Sequence, residues 1–223
     1  EAIDYGLKED SIYYAKGEME NAQGRYDAAI QEFRQCIDIT DDDGMRERAY
    51  LMLYDIYDEK GEDVNQRNVL IEARKTLPSE NQMQVLERLA QIDIELADKS
   101  GNSDYRKEAI NTLLEVETQG WATYDTLAVL YEKQGQLDLA RQAADSMLEK
   151  YGEDYNIYMR YAFLEIDAQE LLANTSRDYT QFVQYYEKAL QLYTEQQSDN
   201  NVDSEMELLK NLYAQVVEGG WVE

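Results

Sequence analysis

A glycine returns along this chain with the same kind of neighbours each time, and that recurrence constrains the fold more than any other feature. Gly24 follows a run with Ile12, Tyr13, Ala15, Gly17 and Met19, and precedes one with Tyr26, Ala29, Ile30, Phe33, Cys36 and Ile37. Apolar residues three and four apart mark one face of a helix, so each glycine divides two amphipathic helices. The pattern returns around Gly61, with Tyr50, Tyr54 and Tyr57 before it and Val69, Leu70 and Ala73 after it, until Pro78 stops the second helix. It returns again around Gly135, between Trp121, Tyr124, Ala128 and Tyr131 on one side and Leu137, Ala140, Ala144, Met147 and Leu148 on the other. A lone helical hairpin cannot bury its apolar stripe, so repeated hairpins must stack on one another.

Composition supports helices throughout. Proline occurs once in 223 residues, while Ala, Leu, Glu, Gln and Lys fill long stretches and lose little rotamer freedom in a helix. Nineteen tyrosines stand against three phenylalanines. A tyrosine can bury its ring and keep its hydroxyl wet, which suits a thin protein with much half-buried surface.

The repeats resemble the tetratricopeptide family, a helix–turn–helix unit of about 34 residues. Gly24, Tyr26, Ala29 and Phe33 carry the resemblance in the first hairpin; Tyr57, Gly61, Ala73 and Pro78 in the second; Tyr124, Tyr131, Gly135 and Ala140 in the fourth. Aligned on the glycine, repeats start at residues 10, 47, 87 and 121, with a fifth extrapolated to 155. The expected fold is all-α without a sheet: a right-handed αα-superhelix of about five hairpins (10–43, 47–78, 81–119, 121–152, 154–197) and a terminal helix over 203–217. The third hairpin has three residues too many between Gly101 and Ala109, assigned to a longer turn over Asn102, Ser103 and Asp104. In the fifth, about eight extra residues, Glu170 to Arg177, precede a second helix carrying Tyr179, Phe182, Tyr186 and Ala189. Gly219 and Gly220 stop the last helix. The first residue is Glu1 rather than Met, and Ala2-Ile3 falls where a preceding repeat would finish. The chain is therefore read as one array cut from a longer one.

Charge and residue inventory narrow the function. Forty-seven acids against 21 bases give a net charge of −26, which leaves no Lys/Arg footprint for a phosphate backbone or an anionic membrane surface. No apolar run is long enough to span a bilayer, and no targeting signal fixes a compartment. The chain has no histidine, which removes the commonest general base and zinc ligand. Cys36, the one cysteine, lies on an apolar stripe and reads as a small core residue. Asp41-Asp42-Asp43-Gly44 lacks the flanking ligands of a calcium loop, since Ile39 and Tyr50 stand at the required places. It reads as a loop whose last acids favour the next helix start. No phosphate-binding glycine loop occurs, the sequon Asn174-Thr175-Ser176 reads as a chance match, and carboxylate pairs carry no signal among so many acids. No catalytic residue, metal or cofactor is expected.

The resemblance implies a concave groove lined by the first helix of each repeat. Carried over by position, its residues are Ser11, Tyr14, Glu18 and Asn21, then Arg48, Leu51, Asp55 and Asp58, then Arg88, Gln91, Glu95 and Asp98. Asp125, Val129 and Glu132 follow in the fourth repeat, and Asn156, Met159, Phe163 and Ile166 in the fifth. A chaperone-binding subfamily grips a terminal carboxylate with lysines and asparagines at several of these places. Here they are mostly acidic, so that resemblance fails. The groove is expected to be acidic around Glu18, Asp55, Asp58, Glu95 and Asp98 and apolar toward Phe163 and Ile166. Such a groove suits a protein or peptide segment carrying Lys/Arg and a hydrophobic anchor, held by a monomeric scaffold. Two other classes follow from the resemblance: a sensory or regulatory segment of a membrane-anchored protein such as a bacterial Ser/Thr kinase, and a solenoid-type enzyme or carbohydrate binder.

Overall fold

The computed structural model describes residues 8–116, 119–196 and 204–221. Ala2 and Ile3 lie outside the described residues. Eleven α-helices and no strand occur among those described: α1 (Glu9–Ala22), α2 (Tyr26–Ile39), α3 (Asp43–Glu59), α4 (Asp63–Thr76), α5 (Met83–Ser100), α6 (Ser103–Leu114), α7 (Trp121–Lys133), α8 (Leu137–Tyr151), α9 (Tyr155–Glu170), α10 (Thr180–Gln196) and α11 (Ser204–Glu218). The chain forms two compact units, Glu1–Thr118 with α1–α6 and Gln119–Glu223 with α7–α11.

The turns explain why the glycines recur. Gly24, Gly61 and Gly135 have φ of 70°, 66° and 70°, a left-handed conformation in which a Cβ would meet the following carbonyl. In each, the glycine amide donates to the carbonyl three residues back and the next amide to the one five back. The pairs are Gly24 to Asn21 at 2.9 Å with Arg25 to Glu20 at 3.0 Å, and Gly135 to Glu132 at 2.8 Å with Gln136 to Tyr131 at 2.9 Å. This double closure satisfies the end carbonyls of the first helix and launches the second.

The third hairpin closes differently and corrects the expected loop. Gly101 makes a single bond, to the Ala97 carbonyl at 2.8 Å, and Asn102 caps α6 by accepting the Asp104 amide at 3.0 Å. Ser103 and Asp104 are therefore helical, and the three extra residues lengthen the start of α6 rather than the turn. In the fifth hairpin no glycine is present, and Arg177 substitutes for it. Its Nε donates to the Leu172 carbonyl at 3.2 Å and its Nη2 to the Glu170 carbonyl at 3.1 Å.

Within the first unit α1 packs on α2, α3 on α4 and α5 on α6, while α2–α3 and α4–α5 contacts join the hairpins. One core results, with Phe33, Cys36, Tyr50, Leu53, Ile56, Leu70, Leu89 and Ile92 buried in it. Fully burying a side chain of this size stabilises by about 1.5–3 kcal/mol. Gly17 lets α1 approach α2: a Cβ there would lie 2.8 Å from the Phe33 ring. Asp42 accepts the Met45 amide at 3.0 Å and caps α3, which gives the Asp41–Asp43 run a structural task. In the second unit α7 packs on α8 and α9 on α10, and α11 lies against both α9 and α10. The shared core of α9, α10 and α11 holds Met159, Phe182, Tyr186, Met206 and Leu209. At its end, Trp221 folds back edge-on to Tyr179 with ring centroids 5.7 Å apart.

Candidate partner-binding surfaces

In the first unit the groove candidates lie on α1, α3 and α5. Tyr14 is half-buried, its ring edge-on to Phe33 at 5.4 Å. Burial pushes its hydroxyl pKa up, the Glu18 charge adds to this, and Arg48 opposes it, so the three side chains share one neighbourhood. Asn21 is half-buried and Glu18 exposed. Leu51 is half-buried against the core.

On α3 and α5 the acids gather around a residue that carrying positions over did not select. The Arg88 guanidinium pairs with Asp55 and lies 4.9 Å over the Tyr54 ring, a cation–π contact. The Tyr54 hydroxyl is pushed up by burial first, then by Glu95, Asp58 and Asp55, with Arg88 opposing. Arg88 and its partner Asp55 thus meet at Tyr54, and the charges of Asp58 and Glu95 act on its hydroxyl. Gln91 donates to Glu95 at 3.0 Å, and Arg106 of α6 reaches Asp98 at 3.3 Å. Asp55 and Asp58 keep exposed side chains. Tyr54 stands among apolar-stripe residues in the sequence, and only the facing helix reveals that its ring also carries a cation.

The second unit departs from expectation. Asp125 on α7 is neutralised by Arg160 of α9 at 3.1 Å, and the same guanidinium stands 3.7 Å from Glu132. Arg160 was not singled out in the sequence because its partners lie on another helix, beyond any local periodicity. Val129 and Asn156 are half-buried. Met159, 1% exposed, and Ile166 are core residues, so neither offers a surface to a partner. The reason is α11, which lies over α9 and puts Met206 and Leu209 in the same core as Met159. Phe163 is half-buried against that core. The exposed apolar residues of this unit near α9 are instead Leu171 and Leu172, just beyond its end.

Cys36 is wholly buried, and burial pushes its thiol up to about 11. It stays protonated at neutral pH and serves as core. No helix among the described residues is long and apolar enough to cross a membrane.

Comparison with known proteins agrees with the hairpins. Tetratricopeptide repeat models match residues 10–43, which span α1 and α2, and 121–164, which span α7, α8 and the larger part of α9. No curated protein matches the chain. A solved structure of MamA is similar with a TM-score of 0.61 at 17% identity, over 87% of this chain and 97% of that one. TTC0263, a tetratricopeptide protein of Thermus thermophilus, is similar with a TM-score of 0.50 at 17% identity, over 94% of this chain and 99% of that one. PilF of Pseudomonas aeruginosa is similar with a TM-score of 0.54 at 16% identity, over 94% of this chain and 84% of that one. At such identities the likeness concerns the fold, which is the all-α hairpin array of these proteins. The chain thus carries tetratricopeptide repeats at residues 10–43 and 121–164, within a fold similar to that of these proteins.

Proposed function

We propose that the chain is a protein-binding scaffold without catalytic activity, and that α1, α3 and α5 present the surface that holds a partner segment. The observation that carries this reading is the Arg88–Asp55 pair held over the half-buried Tyr54 ring, on a face where Asp58 and Glu95 add negative charge. Such a surface attracts positive charge and offers an aromatic face beside it. The partner it suits is an extended or helical segment with Lys/Arg and an apolar anchor. The acidic character of the face disfavours a carboxylate-terminated ligand.

The test is a peptide array probed with the whole chain at low and high salt. Basic–apolar peptides should bind best, and their affinity should fall as salt screens the face. The double variant Asp55→Lys, Glu95→Lys should lose both the binding and its salt dependence. Unchanged binding and an unchanged salt response in that variant would show that these acids serve only solubility.

A further inference from the structure

Beyond α9 the chain presents a feature that the repeat does not explain. Leu171 is 76% exposed and Leu172 45%, yet the backbone carrying them is braced. Arg177 donates to the Glu170 and Leu172 carbonyls, and Gln169 accepts the Asp178 amide at 2.8 Å. Single exposed leucines are ordinary, but Leu171 borders an open pocket of about 310 Å³. Leu171 and Leu137 form its apolar wall, and Glu132, Gly135, Asp167 and Glu170 the rest.

The polar wall is short of positive charge. Glu132 Oε2 is closed off from solvent and has no hydrogen-bond donor. Its nearest cation is Arg160, whose Nη1 stands 3.7 Å away, beyond hydrogen-bond reach, while its Nη2 bonds Asp125 at 3.1 Å. The other charges near Glu132 are Lys133 on its own helix, Asp167 on α9 and Glu205 on α11. No donor reaches Asp167 among the described residues, and the charge beside it is that of Glu170. Burial pushes the carboxyls of both Glu132 and Asp167 up, as happens to carboxylates that have left water without gaining donors. Among the described residues no three such groups stand close enough to hold a metal ion, so the missing charge fits a side chain.

We propose that this pocket docks a lysine or arginine side chain of a partner peptide, with an apolar residue next to it covering Leu171. A guanidinium offers several donors in one plane and can serve two carboxylates together. The apolar residue excludes water and so strengthens the ion pairs it covers. The proposal uses none of the residues of the α3–α5 face.

The probe is an acetylated, amidated peptide Ala-Arg-Leu-Leu-Ala, with glutamine in place of arginine as its counterpart, titrated into the whole chain and followed by methyl NMR. The methyl signals of Leu137 and Leu171 should shift with the arginine peptide, and the glutamine peptide should bind about tenfold more weakly, the loss of one charge-assisted contact. Asp167→Asn and Leu171→Ser should each weaken the arginine peptide to a similar extent while the fold is retained, the Asp167→Asn chain with a raised unfolding midpoint at neutral pH. Equal affinity of the two peptides, or methyl shifts elsewhere only, would overturn the proposal. If Asp55→Lys abolishes binding while Asp167→Asn leaves it intact, the peptide sits on the α3–α5 face: this proposal fails and that reading stands. If the reverse holds, this proposal stands without it.

Discussion

Gly17 shows how one residue sets the spacing of a helix pair. Glycine inside a helix costs about 0.5–1 kcal/mol relative to alanine, so alanine would stabilise α1 taken alone. A Cβ there would stand 2.8 Å from Phe33, and overpacking a fixed core costs about 1–3 kcal/mol. The packing loss exceeds the propensity gain, so Gly17→Ala should be destabilising in denaturant unfolding. A stabilised variant would mean that Phe33 yields freely. Asp167 is an opposite case, a residue that opposes folding at neutral pH. Its folded-state pKa lies above the ordinary carboxylate value of about 4, so its contribution to stability is fully present below that value and lost as pH rises through the raised one. Asp167→Asn should therefore raise the unfolding midpoint at neutral pH and change it little in acid. A pH-independent effect would assign the change to something other than charge.

At the scale of elements, the sequence was most legible where backbone geometry allows one residue type. The left-handed turns at Gly24, Gly61 and Gly135 exclude a Cβ by sterics, so those glycines marked the hairpins directly. Replacing any one with alanine should cost about 1–2 kcal/mol, measured as a lower unfolding midpoint. The start of α6 was misread because Asn102, Ser103 and Asp104 are turn residues by propensity, whereas here Asn102 is a helix cap and the two after it are helical. Capping chemistry and turn chemistry use the same residues. Asp42 illustrates the cap again: Asp42→Ala should cost about 0.5–2 kcal/mol while leaving the core contacts of α3 in place.

At the scale of the whole molecule, the exposure of Glu18, Asp55, Asp58 and Asp98 was legible, because these repeat positions in α1, α3 and α5 stay open to solvent. The apolar end was not. Position within the repeat places Met159 and Ile166 on a surface, but α11 packs on that side of α9 and turns Met159 into core. A capping helix alters which positions face outward, and no periodicity within α9 records that. The long-range pair of Arg160 and Asp125 was hidden for a similar reason, since it joins residues 35 apart in sequence on different helices. The central claim is that a basic–apolar segment sits on the acids gathered at Tyr54. Carboxyl footprinting of the whole chain, with and without the tightest-binding array peptide, tests it most directly. Asp55, Asp58 and Glu95 should lose reactivity on binding while the exposed Asp41 and Glu80 keep theirs; full reactivity of all three in the saturated complex would contradict it.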